Sequence, residues 1–363
     1  MIARCHCFFA SAFALLASAN ARAQAPQTTV VPAAFATADA NSYLWVAGAS
    51  RSLRQQTLIG SSHLTALLGR SITALELRRT ARNQSFPGGT IQVSVALAVS
   101  PRTPLRSSRT FAANLGTAAV TVFTGAVALP ASPATAGPTV PWTASNTVRI
   151  AFQTPFVYTG GTLCVDLVAA PVAGQLAHGW LADAVFEDVA GTIAPVGAGC
   201  GGYGGPSRAW SAIDERKLVP GAHADFFADG PHNALGFAVF GTRSAAPIPL
   251  TMLGLPSPGC ELHLASIDAI LPAIFVPEVH PLLQAGPARA DVQFWIPDDA
   301  AVFGTSMTTQ WFEFSQLTTS NAIEWAIAAA LPSTDLTSIE GDPNAPEGNV
   351  AVGHAHVLRF ESQ

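Results

Sequence analysis

Two short stretches of the 363-residue chain concentrate side chains able to do chemistry. His354 and His356 stand two apart near the end, so a strand there would aim both imidazoles at one face. Neutral imidazoles so placed ligate zinc or copper once a further ligand arrives from elsewhere. His223, Asp225, Asp229 and His232 fall within one ten-residue stretch, HADFFADGPH, whose residue types serve metal ligation or acid–base transfer. Phe226-Phe227 between them reads as a core strand, and Asp229-Gly230-Pro231 as a turn, so a charged strand end is the competing reading. His354, His356, Asp225 and Asp229 are the candidate metal ligands. Asp342-Pro343-Asn344 and Asp298-Asp299 offer oxygens to a structural calcium ion, without the ligand spacing of a calcium loop. No other cofactor is expected.

Local catalytic signatures are absent. The chain has no G-x-S-x-G elbow, no H-E-x-x-H and no P-loop. Two acids brought together by folding leave no local pattern, which keeps glycoside-type hydrolysis open. Adjacent Glu187 and Asp188 would face opposite ways on a strand. Seven tryptophans, among them Trp45, Trp142, Trp210 and Trp295, could stack on sugar rings from an open sheet face, although large aromatics are mostly buried.

The elements that must position these residues are strands. Ile91, Val93, Val95, Leu97 and Val99 alternate with smaller or polar residues, and Val148, Ile150 and Phe152 do the same. Leu163, Val165 and Leu167 share a face opposite Cys164, Asp166 and Val168. Twenty-seven prolines suit loops and edge strands and forbid long helices. The prediction is an all-β chain of two jelly-roll-like antiparallel sandwiches, 24–196 and 197–363, parted at a small-residue seam between Pro195 and Pro206. Leu331 to Asn349 reads as a long loop, and Val350 to Phe360 as a strand that closes the second sheet.

Charge narrows the function classes. Only 11% of residues are charged, the net charge is −5, and no Lys/Arg run exists, which argues against a nucleic-acid partner. Ten arginines face two acids over residues 24–160, whereas 161–363 carry six basic and twenty-one acidic residues. That asymmetry predicts attraction between the halves. Arg4 followed by the apolar run Phe8 to Ala19 and Ala21-Arg22-Ala23 reads as a signal peptide over 1–23. Beyond it no apolar stretch is long enough to span a bilayer, so a secreted, periplasmic or cell-surface protein without membrane insertion is expected. Removing the signal leaves Cys164, Cys200 and Cys260, the arithmetic of one disulfide and one free thiol. Flanking glycines favour Cys200–Cys260, with Cys164–Cys200 as its competitor.

Arg54-Gln55-Gln56, Ile72 to Arg78, Phe111-Ala112-Ala113-Asn114-Leu115-Gly116, Thr121 to Gly125 and Thr154 to Tyr158 follow one another in order. In that order the first half resembles exported bacterial β-sandwich proteins of unknown function, of the type associated with PEP-CTERM sorting. Gly199-Cys200-Gly201, Pro249-Leu250 and Pro258-Gly259-Cys260, with Gln310-Trp311 later, resemble a secreted module with a Gly-Cys opening and a later Pro-Gly-Cys. The resemblance implies that the two Gly-Cys elements pair, as Cys200–Cys260. It carries no activity. The expected function is therefore non-enzymatic binding of a carbohydrate or another cell-surface ligand. A structural or assembly role in the cell envelope and a glycoside-type hydrolase are the alternatives. The intact mass of the exported protein should correspond to a chain beginning at Gln24; retention of Met1 to Ala23 would overturn that reading.

Overall fold

A computed structural model describes residues 27–135, 137–173, 179–200, 211–213, 217–277, 288–297 and 299–363. The signal segment 1–23, most of the seam (201–206), Trp210 and Asp298 lie outside the described residues. Strands make up 52% of the structure and helices 8%, so the all-β class holds.

The chain first runs through β1 (Gln27–Val31), β2 (Ser42–Trp45), β3 (Leu53–Ile59), β4 (Ser71–Arg78), β5 (Gly89–Ser100), β6 (Val120–Leu129), β7 (Thr147–Val157), β8 (Thr162–Pro171) and β9 (Leu181–Phe186). It continues through β10 (Thr192–Val196), β11 (Ser211–Ile213), β12 (His223–Gly230), β13 (Leu235–Gly241), β14 (Arg243–Pro249), β15 (Glu261–Leu264), β16 (Ala269–Ile274), β17 (Val276–Pro277), β18 (Ala288–Trp295), β19 (Ser306–Glu313) and β20 (Thr318–Ala326). Last come β21 (Leu336–Gly341), β22 (Asn349–Val352), β23 (His354–His356) and β24 (Leu358–Ser362).

Pairing, antiparallel throughout, sorts these strands into two units. One unit contains the sheets β22-β21-β3-β8-β5-β6, β1-β24-β4-β7 and β2-β9-β23. Its core is the one the alternation predicts: Val93, Val95, Leu97, Leu163, Val165 and Leu167 pack against Leu75, Leu77, Val148, Ile150, Leu358 and Phe360. The other unit contains β10-β20-β19-β13-β16, β11-β12-β18-β17 and the hairpin β14-β15. Phe226, Phe240, Phe275, Trp311 and Trp325 fill its core.

The expected division into 24–196 and 197–363 requires correction at both ends. β10, assigned by that boundary to the first domain, pairs with β20 of the second unit. β21 pairs with β3, β23 with β9 and β24 with β4, so residues 336–362 belong to the first unit. The second unit is thus an insert between β9 and β21. Leu331 to Asn349 is also not a continuous loop. Leu336, Thr337, Ser338 and Ile339 are all buried, so β21 shows no alternation and hides from a period-two reading. Phe111–Leu115 forms a short helix on the outside of the six-stranded sheet, where Phe111 covers Cys164, Leu58 and Ile339.

Two adjacent arginines are buried at the end of β4. Arg79 donates all five of its N–H groups, to Thr80 O, Ser132 Oγ, Pro133 O, Arg82 O and Gln84 O, and lies over the Phe86 ring. Arg78 instead bonds the Asp183 carboxylate, with Asp39 Oδ1 3.9 Å away. Burial pushes Asp183 up to about 6 against the opposing pull of Arg78. A buried pair like this costs most when one partner is removed.

The disulfide joins Cys200 to Cys260, and Cys164 is the free, buried cysteine. It fastens the β14-β15 hairpin beside β19 and β20, where Gln310 bonds the backbone of Glu261 and His263. Converting both cysteines to serine should lower the stability of the insert by about 4 kcal/mol, the chain-entropy value for a loop of this length. Asp183→Asn, which strands Arg78, should cost the first unit about 3–5 kcal/mol. Denaturant melts of the two variants check both values, and equal effects on both units would contradict the division drawn from strand pairing.

Candidate ligand site

Strict alternation builds the floor of a cleft between the two units. Along β12, Ala224, Phe226 and Ala228 point into the insert core, leaving His223, Asp225, Phe227 and Asp229 on the other face. Along β18, Ala288, Ala290 and Val292 point inward, leaving Arg289, Asp291, Gln293 and Trp295 outward. The register sets Asp225 opposite Gln293, Phe227 opposite Asp291, Asp229 opposite Arg289 and His223 opposite Trp295. Two rows of polar and aromatic side chains therefore share one surface.

The first unit supplies the wall. Gly348, Asn349 and Val350 line it, and Arg109 reaches over from the loop before the short helix. The cleft has a volume of about 570 Å³ and is open to solvent on one side. Val219, Ala222 and Ala328 of the insert pack with Val352 of the first unit, with Leu105 and Val350 against them, forming an apolar seal between the units.

Charges in the cleft are paired. Arg109 Nη1 donates to Asp291 Oδ2 at 2.7 Å and stands 4.0 Å from Asp225 Oδ1, while its Nε reaches Glu347 Oε2 at 2.7 Å. Burial weakens the hold of Arg109 on its proton, but Asp291, Asp225 and Glu347 more than reverse this and raise its pKa. Lys217 Nζ donates to Asp225 Oδ2 at 2.6 Å, and Gln293 Nε2 to Asp225 Oδ1 at 3.1 Å. Arg289 Nε lies 3.3 Å from Asp229 Oδ1, and its guanidinium sits 4.4 Å over the Phe227 ring. Trp295 is 51% exposed on the same sheet face, with Arg106 5.7 Å from its ring centroid. Burial and the charge of Arg102 lower the pKa of His223.

The structure brings together only part of what the sequence singles out. Asp225 and Asp229 are neighbours on one face, each held by a cation. His232 lies beyond the end of β12. His354 and His356 share a face of β23 in the first unit, as their spacing predicts. His354 Nε2 lies 3.2 Å from Ser42 Oγ, and its ring meets Phe186 edge-on. His356 is buried, and burial with the charge of His354 outweighs the backbone groups of Leu44 and Trp45 and pushes it down to about 3. Among the described residues, no group of three or more His, Cys, Asp or Glu side chains converges to hold a metal ion. Asp342 accepts from Asn344 N at 2.8 Å and Asp299 from Ala301 N at 2.9 Å, so each carboxylate caps a local turn.

Sequence reasoning misses Arg109, Lys217, Arg289 and Asp291. The alternation of Ala288, Ala290 and Val292 with Arg289, Asp291 and Gln293 could have revealed the floor. No local signal could have revealed Arg109, which lies 182 residues from Asp291. Nor do known proteins supply a precedent: no protein-family model, curated protein or solved structure matches this chain. No helix among the described residues is long and apolar enough to cross a membrane.

His356 yields a test of the site's surroundings. Below pH 6.5 the unfolded chain protonates this imidazole while the native one stays neutral until about pH 3, so stability is lost as pH falls through that window. The loss amounts to about 1.4 kcal/mol for each pH unit. His356→Leu should leave the melting temperature at pH 7.5 nearly unchanged and reduce its fall between pH 6 and pH 4. Parallel profiles for the two proteins would refute the assignment.

Proposed function

We propose that this chain is an exported binding protein that holds a carbohydrate, or a similar hydroxyl-rich group of a cell surface, in the cleft between its two units. The observation that carries this reading is the floor of that cleft, which Phe227 lines with Asp225 and Asp291, on a sheet face that continues beyond the cleft to Gln293 and Trp295. Aromatic rings offer flat apolar surface to the C–H faces of a sugar, and paired carboxylates and guanidinium groups retain directions in which hydroxyls can bond. Every cation on the cleft lining already has a carboxylate partner, which favours a neutral ligand over an anionic one. The same pairing speaks against a glycoside-type hydrolase, because both lining acids are already engaged by a cation.

An assembly role in the envelope keeps one observation in its favour. Leu235, Ile270, Ile274 and Phe314 are exposed on the outer side of β13, β16 and the end of β19. A glycan array probed with the mature chain separates the two readings. Binding should appear, and Phe227→Ala or Asp225→Ala should weaken it about tenfold, a loss of about 1.4 kcal/mol. An array without binding would remove the carbohydrate reading and leave assembly.

A further inference from the structure

A second cleft, of about 510 Å³, opens at the end of the first unit where β2 and β23 meet β3, β21 and β22. His354 lines it, together with Leu44, Leu53, Arg51, Glu340 and Asn349. The three-stranded sheet β2-β9-β23 explains why a serine reaches that histidine. Ser42 is registered with Ala184 and His354 with Phe186, two residues further along β9. Residues two apart on a strand share a face, so both side chains rise on the same side of β9 and meet above it. Ser42 Oγ lies 3.2 Å from His354 Nε2. The Phe186 ring meets the imidazole edge-on, 5.4 Å between centroids, and so fixes its plane. Neither residue is fully buried.

We propose that Ser42 and His354 are a nucleophile and base for acyl transfer, acting on small carboxylic esters that reach His354 from this cleft, with Ser42 set beside His354 rather than on the cleft lining. A hydroxyl within hydrogen-bond reach of an oriented imidazole is the arrangement that activates a serine. Ser42 Oγ attacks the ester carbonyl carbon while His354 Nε2 takes the hydroxyl proton. The carbon–alkoxy bond breaks, and His354 returns that proton to the departing alcohol oxygen. Water then attacks the acyl-serine and loses a proton to His354. The acid leaves, and the proton returns to Ser42 Oγ. Leu44 and Leu53 give the acyl group an apolar wall. This activity is separate from the glycan reading, since the two clefts share only Asn349.

The mature, full-length protein is incubated with a fluorophosphonate probe, whose phosphorus bonds to an activated serine oxygen as fluoride leaves, and the adduct is located by peptide mapping. Hydrolysis of 4-nitrophenyl acetate and butyrate is followed in parallel. The expected result is an adduct at Ser42, ester hydrolysis abolished by Ser42→Ala, and both rates lowered at least a hundredfold by His354→Ala, in line with the roughly 10²–10⁴-fold worth of a positioned base. His354→Phe, which preserves a ring against Phe186, serves if the alanine variant melts early. Absence of an adduct at Ser42, or labelling at an unchanged rate in a folded His354 variant, overturns the proposal.

Discussion

The first unit depends on main-chain hydrogen bonds made by the last residues of the chain. β24 lies between β1 and β4, with Leu358 opposite both Val31 and Leu77, and Phe360 opposite both Thr29 and Leu75. A strand in that position cannot be removed without opening two ladders and uncovering the apolar face that Leu358 and Phe360 complete. The preceding strands inherit its placement. β23 joins the sheet of Ser42, β22 carries the wall of the inter-unit cleft, and β21 lies between β22 and β3 in the six-stranded sheet. Both clefts are therefore shaped by residues that the sequence-based boundary assigned to another domain.

Charge in this molecule is scarce and much of it is committed. Arg78 and Arg79 are buried, Arg54 holds Asp166 through two bonds, and Glu76 is shared by Arg149 and Arg359 on neighbouring strands. The excess of arginine in the first half, which reads in sequence as a field attracting the acidic half, is thus partly consumed inside its own unit. Arg109 does reach across, to Asp291 and Asp225. It works beside an apolar seal formed by Val219, Ala222, Leu105, Val350 and Val352, whose attraction salt does not screen.

What the sequence discloses follows from which contacts are local. Alternation reveals β5 and β7 because each has one buried and one more exposed face; β8 is covered on both, and its period shows only because Cys164 and Asp166 interrupt Leu163, Val165 and Leu167. Cys200 and Cys260 pair as their flanking glycines favour. β21 is illegible because both its faces are covered and Leu336-Thr337-Ser338-Ile339 does not alternate. The cleft is half legible: Asp225 and Asp229 stand out by composition, but their partners Lys217 and Arg289 acquire meaning only once β12 and β18 are adjacent. Ser42 and His354 are 312 residues apart, and no short motif can announce a hydrogen bond made across an intervening strand.

The way the insert leaves and re-enters the first unit bears on how such a chain can grow. β10 pairs along its whole length with the end of β20, Thr192 opposite Ala326, so the insert's two ends are held side by side. For the first unit the insert is then a loop whose ends are already neighbours. Loop-closure entropy rises only logarithmically, about 0.6 kcal/mol for each doubling of length. An appendage with its own aromatic core and its own disulfide therefore costs the host unit almost nothing in chain entropy. The host can keep its sheets while the passenger, and the cleft that the passenger's acidic face creates against it, change independently.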